Sequence, residues 1–184
     1  MKVLLDNDIR EPLFAYFESQ YEKVRFLEEI PTGNSRADVV MVLPDKLCGI
    51  EIKSDADGYS RLKTQVKDYD MRYEENYLVV GSTHAWHAEE HVPEHWGIIS
   101  VELINGCVDF RKIRDPGINP NLNIESKMRI LWKRELFGIL EKNNMPKYRQ
   151  KSKLFIIDKI LNKVDLETLS IQISEELFER DYTV

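Results

Sequence analysis

Three charged side chains, Asp38, Glu51 and Lys53, lie within RADVVMVLPDKLCGIEIKS, residues 36–54, in two runs otherwise apolar enough to be buried strands. Burying a carboxylate is costly unless it is paired or bound to a metal, so charges in such strands need a reason. Strand side chains alternate, so Glu51 and Lys53 share one face, roughly 7 Å apart, while Cys48, Ile50 and Ile52 take the other and enter the core. A hairpin loop of two or four residues around Pro44-Asp45-Lys46 places Asp38 opposite Lys53 and on the face of Glu51. A three-residue loop turns it away unless a bulge restores the register. Two carboxylates converging on one point repel, and a hard divalent cation such as Mg2+ (or Mn2+) removes that cost, with water and substrate phosphate as its other ligands. In phosphodiester hydrolysis such a cation polarises the phosphoryl oxygen and helps produce hydroxide, and a nearby lysine orients the water or offsets charge developing on phosphorus. The competing reading is an exposed Glu51–Lys53 pair on an edge strand, worth at most about 1 kcal/mol.

The elements that must position these groups are legible in the pattern. Ile9, Leu13, Tyr16 and Phe17 fall at helical spacing over 7–20, with Asp6 or Asp8 as N-cap and Pro12 tolerable near the start. A strand over 21–30 ends in Glu28 and Glu29 and the turn Pro31-Thr32-Gly33-Asn34; 37–43 and 47–53 then form a hairpin. A helix over 59–74 carries the apolar stripe Tyr59, Leu62, Val66, Tyr69 and Tyr73, and YLVV over 76–81 reads as a buried strand. Further strands are expected over 96–103 and 108–113, turning at Asn105-Gly106. Beyond the Pro/Gly/Asn cluster at 115–121, helices are expected over 125–142, 152–163 and 166–180. The predicted class is α/β, with units at 1–115 and, all-helical, at 122–184.

Asp38, then Glu51-Ile52-Lys53, within an order of helix, three strands, helix and strand, resembles the PD-(D/E)XK nuclease superfamily, the restriction-endonuclease-like fold with a mixed sheet. The resemblance covers about residues 6–81. Its nearest form is a group of small bacterial and phage proteins carrying RAD…G-x-EIKSD…RL…Q-x-x-x-Y, here Arg36-Ala37-Asp38, Gly49, Glu51 to Asp55, Arg61-Leu62, Gln65 and Tyr69. It implies that Asp38 and Glu51 hold the metal, that Lys53 is catalytic, and that Gln65 and Tyr69 match the Q-x-x-x-Y element of RecB-type exonucleases. Gln65 then reaches the site or a DNA strand, and Arg36 and Tyr69 join the nucleic-acid contacts. An upstream acid often completes such sites; Glu29 is the choice here, with Glu28 and Glu11 as rivals. The family's proline before the first aspartate is replaced by Ala37.

Two other motifs compete or extend the reading. His87 to His91, HAEEH, fits the inverted zinc-protease pattern H-x-x-E-H, although Pro93 would end its helix almost at once. Residues 127–163 hold 11 Lys and Arg against 3 acidic groups, with Lys147, Arg149, Lys151 and Lys153 in a loop and the following helix start. This stretch weakly resembles a SAP-type helix–turn–helix, and its cations would contact phosphates without reading sequence.

The net charge of -6 argues against a chain that coats nucleic acid, but residues 119–184 carry 12 basic against 10 acidic groups, opposite in sign to the first part. Nothing in the chain resembles a signal peptide or a run of about 20 apolar residues, so a cytoplasmic protein without a membrane partner is expected. Cys48 and Cys107 lack metal-site spacing and read as free, buried thiols. The expected function is a metal-dependent deoxyribonuclease, with RNA as another substrate class. The alternative is a nuclease-fold protein that binds nucleic acid or a partner without cutting. Cutting both strands of a duplex takes two sites, which a homodimer would supply.

Overall fold

The stripe of Ile9, Leu13 and Phe17 is the buried face of helix α1, Asp6–Glu18, in the computed structural model, which describes residues 4–182. Pro12 falls in the second turn instead of at the start, which costs the helix one rung of its hydrogen-bond ladder. Strands β1 (Arg25–Thr32), β2 (Ser35–Val42) and β3 (Leu47–Lys53) follow as an antiparallel meander. Gly33 turns β1 into β2 at a φ of +64°, a conformation glycine adopts freely, and a side chain there would strike Asp68. Helix α2 (Leu62–Asp70) leads to β4 (Glu75–Gly81), parallel to β3. A 3₁₀ helix, Ala85–Glu90, then leads to β5 (Trp96–Ile104), parallel to β4. β6 (Cys107–Arg114) returns antiparallel through Asn105-Gly106, both at the positive φ that a tight hairpin turn requires.

The result is a six-stranded mixed sheet in the order β1-β2-β3-β4-β5-β6. The expected element order holds, but α2 is shorter than the expected 59–74, because residues 59–61 form the turn that precedes it.

Each face of the sheet is covered by apolar side chains of different helices. Cys48, Ile50 and Ile52 pack with Val39, Met41, Val79 and the buried stripe of α1. Leu47, Val40 and Leu78 pack on the other face with Tyr69 of α2 and with Tyr73, just beyond its end. That second cluster continues into the C-terminal helices α3 (Ile124–Met128), α4 (Lys133–Lys142), α5 (Lys153–Leu161) and α6 (Leu166–Phe178), through Met128, Leu136, Ile156 and Leu177. The helical segment, expected as its own unit, therefore shares a core with the sheet. Polar ties reinforce the join: fully buried Lys127 pairs with Glu74, and the Asn119 carboxamide donates to the carbonyls of Asp70 and Tyr73, each at 2.7 Å. The single helix expected over 125–142 is two, because the Glu135 carboxylate reaches back to the Trp132 amide (2.6 Å) and starts a new helix. Both cysteines are free; Cys48 is buried as expected, whereas Cys107, expected buried, is exposed because it opens the edge strand β6. Among the described residues no helix is long and apolar enough to cross a membrane.

Asp70, at the end of α2, is the polar knot of this arrangement. It is buried and accepts from Trp96 Nε1 (2.8 Å), His95 Nε2 (3.0 Å), Asn76 Nδ2 (3.2 Å) and Asn121 Nδ2 (3.3 Å). One carboxylate thereby joins α2, β4, β5 and the linker to the helices. Asp70→Ala strands several buried donors at once and should lower unfolding stability by about 3 kcal/mol, read from the urea midpoint at unchanged m-value.

Candidate active site

The β2–β3 ladder pairs Val39 with Ile50 and Met41 with Cys48, closed by a two-residue loop in which the Leu43 amide donates to the Lys46 carbonyl at 2.9 Å. Continuing this register one step puts Asp38 across from Glu51, not across from Lys53 as expected. The even loop keeps the parity, so Asp38, Glu51 and Lys53 do share a face; the pairing is simply shifted by two residues.

All of β3 is buried, and Glu51 is completely so. Its carboxylate is satisfied by three donors: Lys53 Nζ and Gln65 Nε2 on Oε1, and the Tyr69 hydroxyl on Oε2 at 2.6 Å. A carboxylate has about four lone-pair directions, so one remains for a further ligand. The Tyr69 oxygen also lies 3.3 Å from the Asp38 amide, which donates to it, so one phenol links the backbone of β2 to the carboxylate of β3. Tyr69 is thus both core residue and site residue, and burial followed by the charge of Glu51 holds its hydroxyl well above the ordinary tyrosine range. Gly49 makes room for this: a methyl there would come within 2.4 Å of the Tyr73 ring and 2.6 Å of Tyr69. α2 can therefore lie close enough for its glutamine and tyrosine, four residues and one helical turn apart, to reach the same carboxylate.

Asp38 lies at the mouth. Its Oδ2 accepts the Ile52 amide at 2.8 Å, and its carboxyl is pushed up to about 7, first by burial and then by the charge of Glu51, against the opposing pull of that amide and of Lys53. Asp38, Glu51 and Lys53 open on a cleft of about 640 Å³ that Arg36, Arg61 and Gln65 also line. Asp6, at the start of α1, lines it too, and its charge helps to raise Asp38. Glu29, chosen from sequence as the third acid, does not line this cleft. It stands at a φ of +55° and binds Arg10 and Arg36, both at 2.5 Å, while Glu28 binds Arg10 at 2.9 Å. The further acids that line the cleft are Asp6, which Arg10 meets at 2.7 Å and which the sequence offers only as a helix cap, and Asp57, which accepts from Ser54.

The cleft carries two oxygens that want donors. Asp6 Oδ1 and Gln65 Oε1 are buried with no hydrogen-bond partner, while Gln65 Nε2 donates to Glu51. With the raised Asp38, these are acceptors that the chain's own cations leave unmet. Among the described residues no group of three or more His, Cys, Asp or Glu is placed to cage a metal ion. The donor set instead suits an ion of the Mg2+ type, bound through one or two carboxylates and otherwise by water and phosphate.

The bacteriophage P4 protein cII profile matches residues 7–182, from α1 through α6. The chain belongs to the bacteriophage P4 protein cII family. No curated protein and no solved structure matches it. The family match spans the cleft, the sheet and the C-terminal helices alike, in keeping with their common core.

In this member of the family the remaining candidates lie apart from the cleft. HAEEH falls on the 3₁₀ helix, where residues four apart do not share a face: His87 pairs with Glu90 at the surface, and His91 stacks on Tyr59 with ring centroids 3.9 Å apart. Of the basic residues in the C-terminal loop, Lys147 pairs with Glu141 and Lys151 lies over the Phe155 ring, while Arg149 is exposed. Lys153 lies inward, its ammonium on the Arg129 carbonyl at 2.5 Å.

Asp38 supplies a pH test of the site. The unfolded chain releases this proton near 3.8 and the folded chain near 7, so the native state binds it more tightly. Its contribution to stability is fully present below about 4 and is lost as pH rises through 7. In chelator, the thermal midpoint of the wild type relative to Asp38→Asn should therefore fall across that window, and Mg2+ should restore it at the alkaline end in the wild type alone.

Proposed function

We propose that this chain is a metal-dependent nuclease that hydrolyses phosphodiester bonds of DNA, built on a PD-(D/E)XK-like site. The observation that carries the reading is the convergence of Asp38 and Glu51 from facing positions on β2 and β3, with Lys53 on Glu51, at the wall of a cleft also lined by Arg36 and Arg61. Asp38 and Glu51, with Asp6 beside them, would hold Mg2+ or Mn2+. When bound, the ion supplies Lewis acidity toward a phosphoryl oxygen and lowers the pKa of water in its shell. Lys53, held by Glu51, stands where an ammonium offsets charge developing on phosphorus. Gln65 anchors Glu51 through its amide nitrogen and offers its free oxygen to a water proton. Arg61 has no carboxylate partner among the described residues, which leaves it available to a phosphate. Burial of Glu51 and the Tyr69 hydroxyl keep the carboxylate in one orientation before substrate arrives. A second copy of the chain would supply the second site for cutting a duplex through both strands.

One observation favours the non-cutting alternative: Glu51 is already bound by three donors of its own chain. Activity decides between the two. Purified protein incubated with single-stranded, nicked and duplex DNA, and with RNA, in Mg2+ or Mn2+ should cleave at least one substrate. Lys53→Ala and Asp38→Ala should each slow cleavage by about 100-fold or more. Absence of cleavage on every substrate, or equal rates for wild type and Lys53→Ala, would remove the nuclease reading.

A further inference from the structure

The catalytic cleft does not end at its own walls. At Asn34 it meets a second groove of about 560 Å³, which crosses the β1–β2 turn and is lined by Gly33, Met71, Arg72 and Arg129. That groove shares Pro31 and Arg129 with a third, of about 300 Å³, between β1 and the C-terminal helices. The three grooves adjoin at these shared residues, in a row from Asp38 to Lys153.

Its far end is rich in cations. Arg129, Lys153 and Arg180 line the third groove together with Glu28 and Glu29, whose carboxylates are already taken by Arg10 and Arg36. Arg180 is held rigidly in a two-armed pair with Glu135, both contacts at 2.7 Å. Lys153 has no carboxylate within ion-pair reach among the described residues, and its one acceptor is a backbone carbonyl. Burial, with Arg180 and Arg129 adding to it against Glu135, holds its ammonium below the usual lysine range. As the first residue of α5, it also opposes the helix dipole. Arg129 carries a carboxylate partner, Glu125 at 2.6 Å, as Arg180 does, so Lys153 is the half-buried cation of this groove that lacks one. Beside it the exposed ring of Tyr182 meets Trp132 edge-on at 5.3 Å, and Trp132 in turn carries the guanidiniums of Arg134 and Arg180 over its ring, each 4.4 Å from its centroid. Alternating cations and aromatic faces along a groove suit a single nucleic-acid strand, whose phosphates pair with the cations while its unstacked bases find the rings.

We infer that a single-stranded segment leaving the catalytic cleft runs over the β1–β2 turn and seats a phosphate between Arg129 and Lys153, with a base against Tyr182. The inference rests on the nuclease reading and adds a substrate class to it: a strand with an unpaired extension on this side of the cut.

The test uses the Lys53→Ala chain in Mg2+, so that binding is read without cleavage, and two labelled single-stranded oligodeoxynucleotides, one filling the cleft alone and one long enough to reach Lys153. The long strand should bind more tightly than the short. Adding Arg129→Ala, Lys153→Gln or Tyr182→Ala should weaken the long strand several-fold and leave the short one unchanged. Each lost phosphate contact should make the salt dependence of log K shallower by about 0.7. Lys153→Arg, which keeps the charge, should restore long-strand binding, and equal melting temperatures exclude misfolding as the cause. Equal effects on both lengths, no effect on the long strand, or tighter binding of duplex would overturn the inference while leaving the nuclease reading intact. A Lys153-dependent shift with inorganic phosphate but no dependence on strand length would make the cluster a free-phosphate site and overturn it as well. If the parent chain binds neither oligonucleotide and the wild type cleaves nothing, the nuclease reading itself fails.

Discussion

A carboxylate with no exposure to solvent, that of Glu51, is the constraint on which the rest of this structure depends. An ionised group in a buried strand is tolerated only if each of its oxygens is met by donors. Here they come from three sources: Lys53 two residues along the same strand, and Gln65 and Tyr69 from the helix laid across it. The position of α2 follows from that need. The helix must lie close enough for a tyrosine hydroxyl to reach the sheet, which requires glycine at position 49, and its start is set by a loop tied down on both sides. Asp57 accepts from the backbone and side chain of Ser54, and Asp55 accepts from the amide and hydroxyl of Thr83. The charged run after the lysine in EIKSD thus builds the loop that holds the helix in place.

The two faces of the sheet divide the labour. One is sealed by α1 and is wholly apolar at Cys48, Ile50 and Ile52. The other carries the carboxylate and the lysine, and its remaining apolar surface is closed by the C-terminal helices. Those helices are therefore part of the scaffold behind the cleft as well as one wall of the groove beside β1. Of their buried polar contacts, Lys127 with Glu74 ties α3 to the turn after α2 and Arg180 with Glu135 ties the end of the chain to α4; both orient more than they stabilise, since desolvation offsets most of the attraction in such pairs. The acidic balance of the whole chain leaves room for local cations without a carboxylate partner among the described residues: Arg61 at the cleft and Lys153 in the groove beside β1.

Much of this was readable from residue types alone. Alternation in β3 put Glu51 and Lys53 together and sent Cys48, Ile50 and Ile52 to the opposite face, because a two-residue period admits no other arrangement. Helical spacing identified the buried stripe of α1, and Asn105-Gly106 marked a tight turn because both residues accept positive φ. The charged pair within an apolar run pointed to the residues that line the cleft, since such a pattern is costly to bury without partners.

What the chain alone left open depended on distances between segments far apart in sequence. The pairing of Asp38 with Glu51 instead of Lys53 was set by where the Leu43–Lys46 closure falls, a matter of one loop residue. Arg10 on α1 binds Asp6 at 2.7 Å and Glu29 at 2.5 Å, yet Asp6 lines the cleft and Glu29 does not, because their places depend on how α1 and the end of β1 lie against the sheet. Cys107 went to the surface because β6 is an edge. The C-terminal helices, which read as a separate unit from their composition, became part of one core because the second face of the sheet had apolar surface that only they could cover. Local periodicity thus determined which residues face together. Only the tertiary structure decided which faces meet, because that depends on the whole chain finding partners for every buried charge and every exposed apolar face at once.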